Sequence, residues 1–178
     1  MNLELEELLE RWQQGDAAAV DALVDRLSPL LRRFFLGLDF DANAADDLVQ
    51  DTWLRLHRAL RTYRPGAPAL PWIYAIARHT RLDSLRKRAR VRRGEVAMDV
   101  LPEVVWEPAP PGEEPLPIGP LLAELPAAQR EAVVMTKLQG MSLEEVARAT
   151  GSSVGAVKQK VFRAYEKIRA LARERGLR

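Results

Sequence analysis

SLEEVARATGSSVGAVKQKVFRAYEKIRAL, residues 142–171, decides the fold. It reads as two short helices joined by a tight turn. Ser142 opens Ser-x-x-Glu with Glu145, in which hydroxyl and carboxylate each satisfy a backbone N–H of the first turn. Val146 and Ala147 face inward. Gly151 then breaks the chain, as a turn between two such helices requires. Ser152 or Ser153 can cap the second helix. In that helix Val154, Val157, Val161, Ala164, Ile168 and Leu171 recur at helical spacing and form one apolar stripe. The other side carries Ala156, Lys158, Gln159, Lys160, Arg163 and Lys167. Small, amide-bearing and cationic side chains on one helix suit a DNA major groove, where amides and guanidinium groups reach base edges and cations hold phosphates. The same pattern would also serve a solvated amphipathic helix pair.

The 178 residues make room for one or two small domains. At 47% hydrophobic and 29% charged, the composition is globular. With no cysteine, a disulfide framework and a thiolate metal site are excluded. No apolar run approaches the length of a membrane span, and the acidic, amphipathic MNLELEELLERW is unlike a signal peptide. The expectation is a soluble cytoplasmic protein. The net charge of +2 hides an asymmetry. Residues 1–98 carry 16 Lys/Arg against 14 Asp/Glu, residues 99–120 five acids and no base, and residues 121–178 11 Lys/Arg against six acids. The C-terminal part is basic and the middle acidic.

Upstream the chain is helical throughout. Leu3 to Trp12 is a first helix with Leu5, Leu8, Leu9 and Trp12 inward, ended by Gly15. Asp16 caps a second, through about Leu38, whose Val20, Leu23, Val24, Leu27, Leu30, Leu31, Phe34 and Phe35 follow helical spacing. Pro29 is placed to kink or split it. After a loop at Phe40–Asn43, a third helix runs from about Ala44 to Leu60. Projected at 100° per residue, Ala45, Leu48, Val49, Thr52, Trp53, Leu56, Ala59 and Leu60 share an apolar stripe. Asp47, Gln50, Asp51, Arg55 and Arg58 lie opposite, with Leu54 among them. An apolar centre with a charged rim is how a protein-docking surface is built, although a lone exposed leucine is also common.

Arg61–Pro71 (RTYRPGAPALP) is a loop, either a plain connection or the wall of a pocket. A fourth helix runs from Trp72 to about Arg90. Its first half (Trp72, Ile73, Tyr74, Ala75, Ile76, Ala77) is apolar nearly all round. Its second half keeps a stripe of Leu82, Leu85 and Ala89 and turns basic, with Arg78, Arg81, Arg86, Lys87, Arg88, Arg90, Arg92 and Arg93 against Asp83. Such a field suits phosphates. Tyr63, Trp72 and Tyr74 just upstream are candidate stacking surfaces for unpaired bases.

Residues 99–120 hold seven of the chain's 12 prolines and cannot bury a core, so they read as a tether reaching at most roughly 75 Å. Trp106 within it is either a partner anchor or packed on a neighbour. Leu121–Leu125 is then a short helix, and Pro126 opens a longer one to Gln139 with Val133, Val134 and Leu138 inward. The fold class is therefore all-α: two small helical domains, 1–98 and 121–178, on a flexible acidic, Pro-rich linker, the C-terminal one a helix-turn-helix. Two basic modules on a leash suit bivalent binding to two separated DNA sites.

DDLVQDTWLRLHRAL (46–60), PWIYAIARHTRLDSLRKR (71–88) and LPAAQREAVVMTKLQGMSLEEVARATGSSVGAVKQKVFRAYEKIR (125–169) resemble the extracytoplasmic-function (group IV) sigma factors of bacterial RNA polymerase. The resemblance covers nearly everything but the tether. It implies a non-enzymatic initiation factor without cofactor or metal, with residues 1–98 as region 2 and 121–178 as region 4. Asp47, Gln50, Asp51, Leu54, Arg55 and Arg58 match the surface that docks on the clamp helices of the polymerase β′ subunit, and region 4 implies contact with the β flap. Tyr63, Trp72, His79, Thr80, Asp83, Arg86, Lys87 and Arg90 match the region that opens the promoter −10 element and captures a flipped base. Ser153, Ala156, Lys158, Gln159, Lys160, Arg163 and Lys167 match the reader of the −35 element. The tether would run through the RNA exit path. The run HRALRTYRPGAPALPWIYAIARH resembles a subgroup often controlled by a multi-pass membrane anti-sigma factor, which makes a stress-response role the expectation. His79 and Ala75 depart from the family, which commonly has Asn and Arg there, so the −10 preference differs in what an imidazole can donate, accept or stack on. The competing readings are a stand-alone dimeric helix-turn-helix regulator and a helical adaptor. No nucleophile–base pair, Gly-rich phosphate loop or metal-ligand cluster supports an enzyme.

Overall fold

The computed structural model describes residues 2–39, 41–93 and 119–175, and every regular element among them is helical. The helices are α1 (Asn2–Gln13), α2 (Ala17–Asp39), α3 (Ala42–Ala59), α4 (Ala69–Arg93), α5 (Gly119–Ala123), α6 (Ala127–Val133), α7 (Leu143–Thr150) and α8 (Val154–Glu174). A 3-10 turn at Leu60–Thr62 follows α3, and a π turn at Val134–Leu138 extends α6.

Local chemistry sets most helix starts. Asp16 accepts the Ala18 N–H at 3.0 Å ahead of α2, and Asp41 accepts the Ala44 N–H at 3.1 Å ahead of α3. That second cap starts α3 at Ala42, two residues before the expected Ala44. α4 begins at Ala69 rather than Trp72, because Pro71 falls within its first turn, where a missing N–H costs no helical bond. Pro29 lies inside α2 and does not split it. A proline in a helix interior costs about 3 kcal/mol. Leu23, Leu27, Leu31, Phe34, Phe35 and Leu38 of α2 are all buried, each contributing about 1.5–3 kcal/mol, and outweigh it. Val24 and Val154, placed on apolar stripes by spacing, are instead exposed.

The helix expected from Pro126 to Gln139 is not uniform. It widens at Val134–Leu138, where the Gln139 N–H reaches the Val134 carbonyl at 3.1 Å. This is where the segment meets α2 at Gly37: a Cβ there would lie 3.1 Å from Val134 Cγ2 and 3.3 Å from Leu138 Cδ1. Gly119 and Pro120, assigned to the tether, belong to α5. The rest of the tether, Trp106 and the 98/99 boundary lie outside the described residues.

The two modules pack together. A single buried cluster runs from Leu5, Leu9, Phe34, Leu56 and Tyr74 into Leu122, Val133, Met135, Val146 and Ala164. α4 is sandwiched between α3 on one side and α7 on the other, which explains why its first half is apolar all round. No helix among the described residues is long and apolar enough to cross a membrane.

Candidate nucleic-acid interface

The helix-turn-helix is held by short-range bonds. Ser142 Oγ accepts from the Glu145 N–H at 3.1 Å while Glu145 accepts the Ser142 N–H at 2.8 Å. Gly151 supplies the left-handed turn, at φ +63°. Ser153, not Ser152, caps α8, accepting the Ala156 N–H at 3.2 Å; Ser152 meets the Thr150 hydroxyl at 2.7 Å. Val157 and Ala164 anchor α8 in the core. Lys158, Gln159, Arg163 and Lys167 are exposed on its outer side, with Ala156 and Lys160 half-buried at its edge. Phe162, missed by the sequence reading, is 61% exposed. At three and four positions from Gln159 and Lys158 it shares their face, so an amide, cations and an apolar ring stand together. The signal was present: with Val161 inward, Phe162 has to point out.

On α3 the projection matches what the structure places. Leu48, Thr52 and Leu56 are buried, and Leu54 is 56% exposed among exposed Asp47, Gln50, Asp51 and Arg58. Arg55 is turned aside. Its Nη1 donates to Asp83 Oδ2 of α4 at 2.6 Å, and Arg86 Nη1 reaches the other oxygen of Asp83 at 3.3 Å. The hydrogen bond from Arg55 holds the Asp83 carboxyl below the usual carboxylate range. Two residues assigned to different partners therefore satisfy each other across a groove of about 590 Å³ between α3 and α4, lined also by Asp47, Asp51, Lys87 and Arg88.

The remaining −10 candidates divide. Tyr63 and Thr80 are buried. The Thr80 hydroxyl donates to the Ile76 carbonyl at 2.9 Å, and the Tyr63 hydroxyl to the Ala67 carbonyl at 2.6 Å. Burial, with the Glu6 and Glu10 carboxylates adding to it, pushes the Tyr63 hydroxyl up to about 12. Trp72 is half-buried, its ring 5.3 Å from Tyr63, and its Nε1 donates to Thr62 Oγ1 at 3.3 Å. His79 is exposed, with Nδ1 2.7 Å from the Ala75 carbonyl. Arg86, Lys87 and Arg90 are exposed along the basic half of α4. His57 stacks on Trp12 at 6.0 Å. Among the described residues no cluster of His, Cys, Asp or Glu could hold a metal.

The contacts between modules went unseen in the sequence. Tyr74 Oη donates to Gln139 Oε1 at 2.6 Å, and Arg78 Nε to Glu131 Oε1 at 3.0 Å. Arg130, 8% exposed, reaches the Leu38 carbonyl at 2.8 Å. The Gln139 Nε2 is buried with no hydrogen-bond partner among the described residues. An unmet donor costs about 1–3 kcal/mol, which leaves this interface less stable than its area suggests.

Family models match in both modules: Sigma-70 region 2 over residues 23–91 and Sigma-70, region 4 over residues 118–168. Among curated relatives, RNA polymerase sigma factor CarQ of Myxococcus xanthus is 32% identical over 169 residues, covering 93% of this chain and 96% of that protein. The ECF RNA polymerase sigma factor EcfG of Rhodopseudomonas palustris (strain TIE-1) is 34% identical over 146 residues, covering 80% of this chain and 79% of EcfG. Among solved structures, the sigma factor RpoE in complex with the anti-sigma factor NepR from Bartonella quintana is similar at 28% identity and a TM-score of 0.70, over 86% of this chain and 96% of that one.

Proposed function

The chain belongs to the extracytoplasmic-function group of bacterial RNA polymerase sigma factors, and on that premise we propose how its surfaces divide the work. It is a promoter-specific transcription initiation factor that binds core polymerase and promoter DNA. We assign residues 1–98 to polymerase docking and the −10 element, and residues 119–178 to the −35 element, with α5 moved from tether to domain. The chemistry of RNA synthesis is the polymerase's; this chain, working in the cytoplasm beside it, supplies specificity and strand opening.

The observation that carries the reading is the pairing of two surfaces in one chain. Leu54 is exposed within a charged rim on α3, and a capped helix-turn-helix presents Lys158, Gln159, Phe162 and Arg163 outward. Leu54 and its rim dock on the polymerase clamp. Gln159 and Arg163 read base edges, Phe162 meets thymine methyl groups, and Lys158 and Lys167 hold phosphates. Arg86, Lys87 and Arg90 follow the phosphates of the opened −10 strand, with His79 and Trp72 beside the loop before α4. Tyr63 and Thr80 act from beneath that surface, and Arg55 with Asp83 ties the docking helix to the basic helix.

The packed arrangement is a resting form. Elements named for positions −10 and −35 lie roughly 25 base pairs apart, or about 85 Å at 3.4 Å per pair. A packed chain of 178 residues has a radius of gyration of only roughly 16 Å, so it does not span that distance. Reading both elements at once requires the modules to part. Residues 94–118 between them reach at most about 85 Å when extended, which matches the need. The similarity to a sigma factor structure containing an anti-sigma factor, over most of both chains, supports an anti-sigma partner that holds this packed form.

Run-off transcription with core polymerase and a promoter-fragment library tests the reading. Protein-dependent transcripts sharing upstream motifs are expected, and their absence together with no binding to core polymerase overturns it. Leu54→Ala should weaken core binding about ten- to thirtyfold with no change in secondary structure. Lys158→Ala and Arg163→Ala should each lower −35-dependent transcription about tenfold, with core binding unchanged. A gel shift without polymerase separates this reading from a stand-alone regulator, which would shift its site by itself.

A further inference from the structure

The loop between α3 and α4 draws much of its shape from the far N-terminus. Glu6, Glu10 and Gln13 lie four and three positions apart, so they share one face of α1. Leu5, Leu8 and Leu9 serve the core from the same helix. The polar face binds loop backbone. Gln13 Nε2 donates to the Leu60 carbonyl at 2.7 Å and to the Tyr63 carbonyl at 2.9 Å. Glu10 Oε1 accepts the Gly66 N–H at 3.0 Å, and Glu6 Oε1 accepts the Ala69 N–H, at the start of α4, at 3.4 Å. These four backbone groups flank the loop on both sides. Within it, the Tyr63 hydroxyl bond to Ala67, the Trp72–Thr62 bond and the Ala67 N–H bond to the Arg64 carbonyl at 3.0 Å are further braces. Backbone outside regular structure must find partners elsewhere, and here one helix face provides them.

We propose that Glu6, Glu10 and Gln13 are positioning residues for −10 recognition. They hold the 60–69 loop in the shape that discriminates the captured base, without touching DNA. The inference rests on the loop's role in the reading above. A captured base is unstacked at a cost recovered only by fixed contacts, so a loosened loop loses discrimination before it loses binding. Gln13→Glu is the sharpest probe. It preserves shape but turns a carboxylate toward two carbonyls, with no donor to offer. Glu10→Gln keeps an acceptor for the Gly66 N–H, and Glu10→Ala removes it.

Transcription from the native promoter is compared with transcription from single-base −10 variants. Gln13→Glu should reduce that discrimination about tenfold, while core-polymerase binding and the effect of −35 substitutions stay within about twofold. Glu10→Ala should show a smaller loss that Glu10→Gln restores. Amide hydrogen exchange in the free protein gives a readout independent of transcription: the Gly66 N–H should lose protection in Glu10→Ala and keep it in Glu10→Gln. If Gln13→Glu does not fold, the Glu10 pair decides. Equal loss of transcription from all promoters, with discrimination intact, overturns the inference, as does unchanged Gly66 exchange in Glu10→Ala. A parent protein that drives no transcription overturns the functional reading instead, and the exchange arm still decides whether α1 holds the loop.

Discussion

A leucine in place of Gly37 is expected to part the two helical modules and leave each of them folded. Gly37 is buried near the end of α2, facing the π turn. A methyl group there would already stand 3.1 Å and 3.3 Å from the two Val134 γ-carbons and 3.3 Å from Leu138 Cδ1. For alanine, the few tenths of an ångström the neighbours must yield are offset by the gain in helix propensity over glycine, about 1 kcal/mol. For leucine, three further carbons enter filled space, and overpacking of that kind costs about 1–3 kcal/mol or more. The strain falls on the seam that separation opens, which holds the apolar cluster shared by the two modules and the hydrogen bonds Tyr74–Gln139, Arg78–Glu131 and Arg130–Leu38. Separation also returns the unmet Gln139 Nε2 to water. The equilibrium should move toward the open form about a hundredfold. Small-angle scattering reads this directly, as a radius of gyration rising several ångströms above the roughly 16 Å of a packed chain of this length. Because affinity scales with the competent fraction, core polymerase should bind Gly37→Leu more tightly than the parent. An unchanged radius with a lowered melting temperature would show instead that the packed form is not a separable state.

The difference between what was legible and what was not follows from how far each feature reaches along the chain. The helix-turn-helix was legible because its determinants are local: a capping box spanning four residues, a glycine that has to turn left-handed, and apolar positions at helical spacing. Leu54 was legible because a projection of α3 depends only on α3. The apolar surround of α4 was a signal that it has neighbours on two sides, but nothing in its spacing names α7 as the second. Arg55 and Asp83 each look like free rim charges until the α3–α4 packing puts them 2.6 Å apart. Glu6, Glu10 and Gln13 look like the solvated face of an amphipathic helix, since their partners are backbone groups 47 to 63 residues away. Polar side chains that bind backbone leave no pairing pattern in the sequence.

Arg130 is the extreme case, and its removal should have the largest effect on stability. In AAQREAVV it reads as a solvated helix cation. In the fold its guanidinium is buried and spent on carbonyls: Nε on Leu122 at 2.9 Å, Nη1 on Leu38 at 2.8 Å, and Nη2 on Ala123 at 2.8 Å and Leu125 at 3.1 Å. Leu38 and the two α5 residues sit in the last turns of their helices, where carbonyls lack intrahelical donors and the dipole is negative. α5, five residues long, is far below the length at which a helix holds itself in water. Arg130→Ala takes a donor from four carbonyls at once, of which Leu122 keeps the Leu125 N–H at 3.0 Å, and the cost should be on the order of 3–5 kcal/mol. Set against a total stability of about 5–15 kcal/mol, that removes a large share of the margin and should lower the melting temperature by many degrees. Arg130→Lys keeps the charge but loses the planar fork that addresses several carbonyls together, so it should recover only part of the loss. Urea unfolding followed by circular dichroism measures both, and a shift below about 1 kcal/mol for Arg130→Ala would mean that the carbonyls find other donors. The two variants separate two properties of one interface. Gly37→Leu opens the modules and leaves α8 folded, so −35 reading survives. Arg130→Ala removes the group that both joins the modules and caps α5, so −35 reading should weaken along with the packed form.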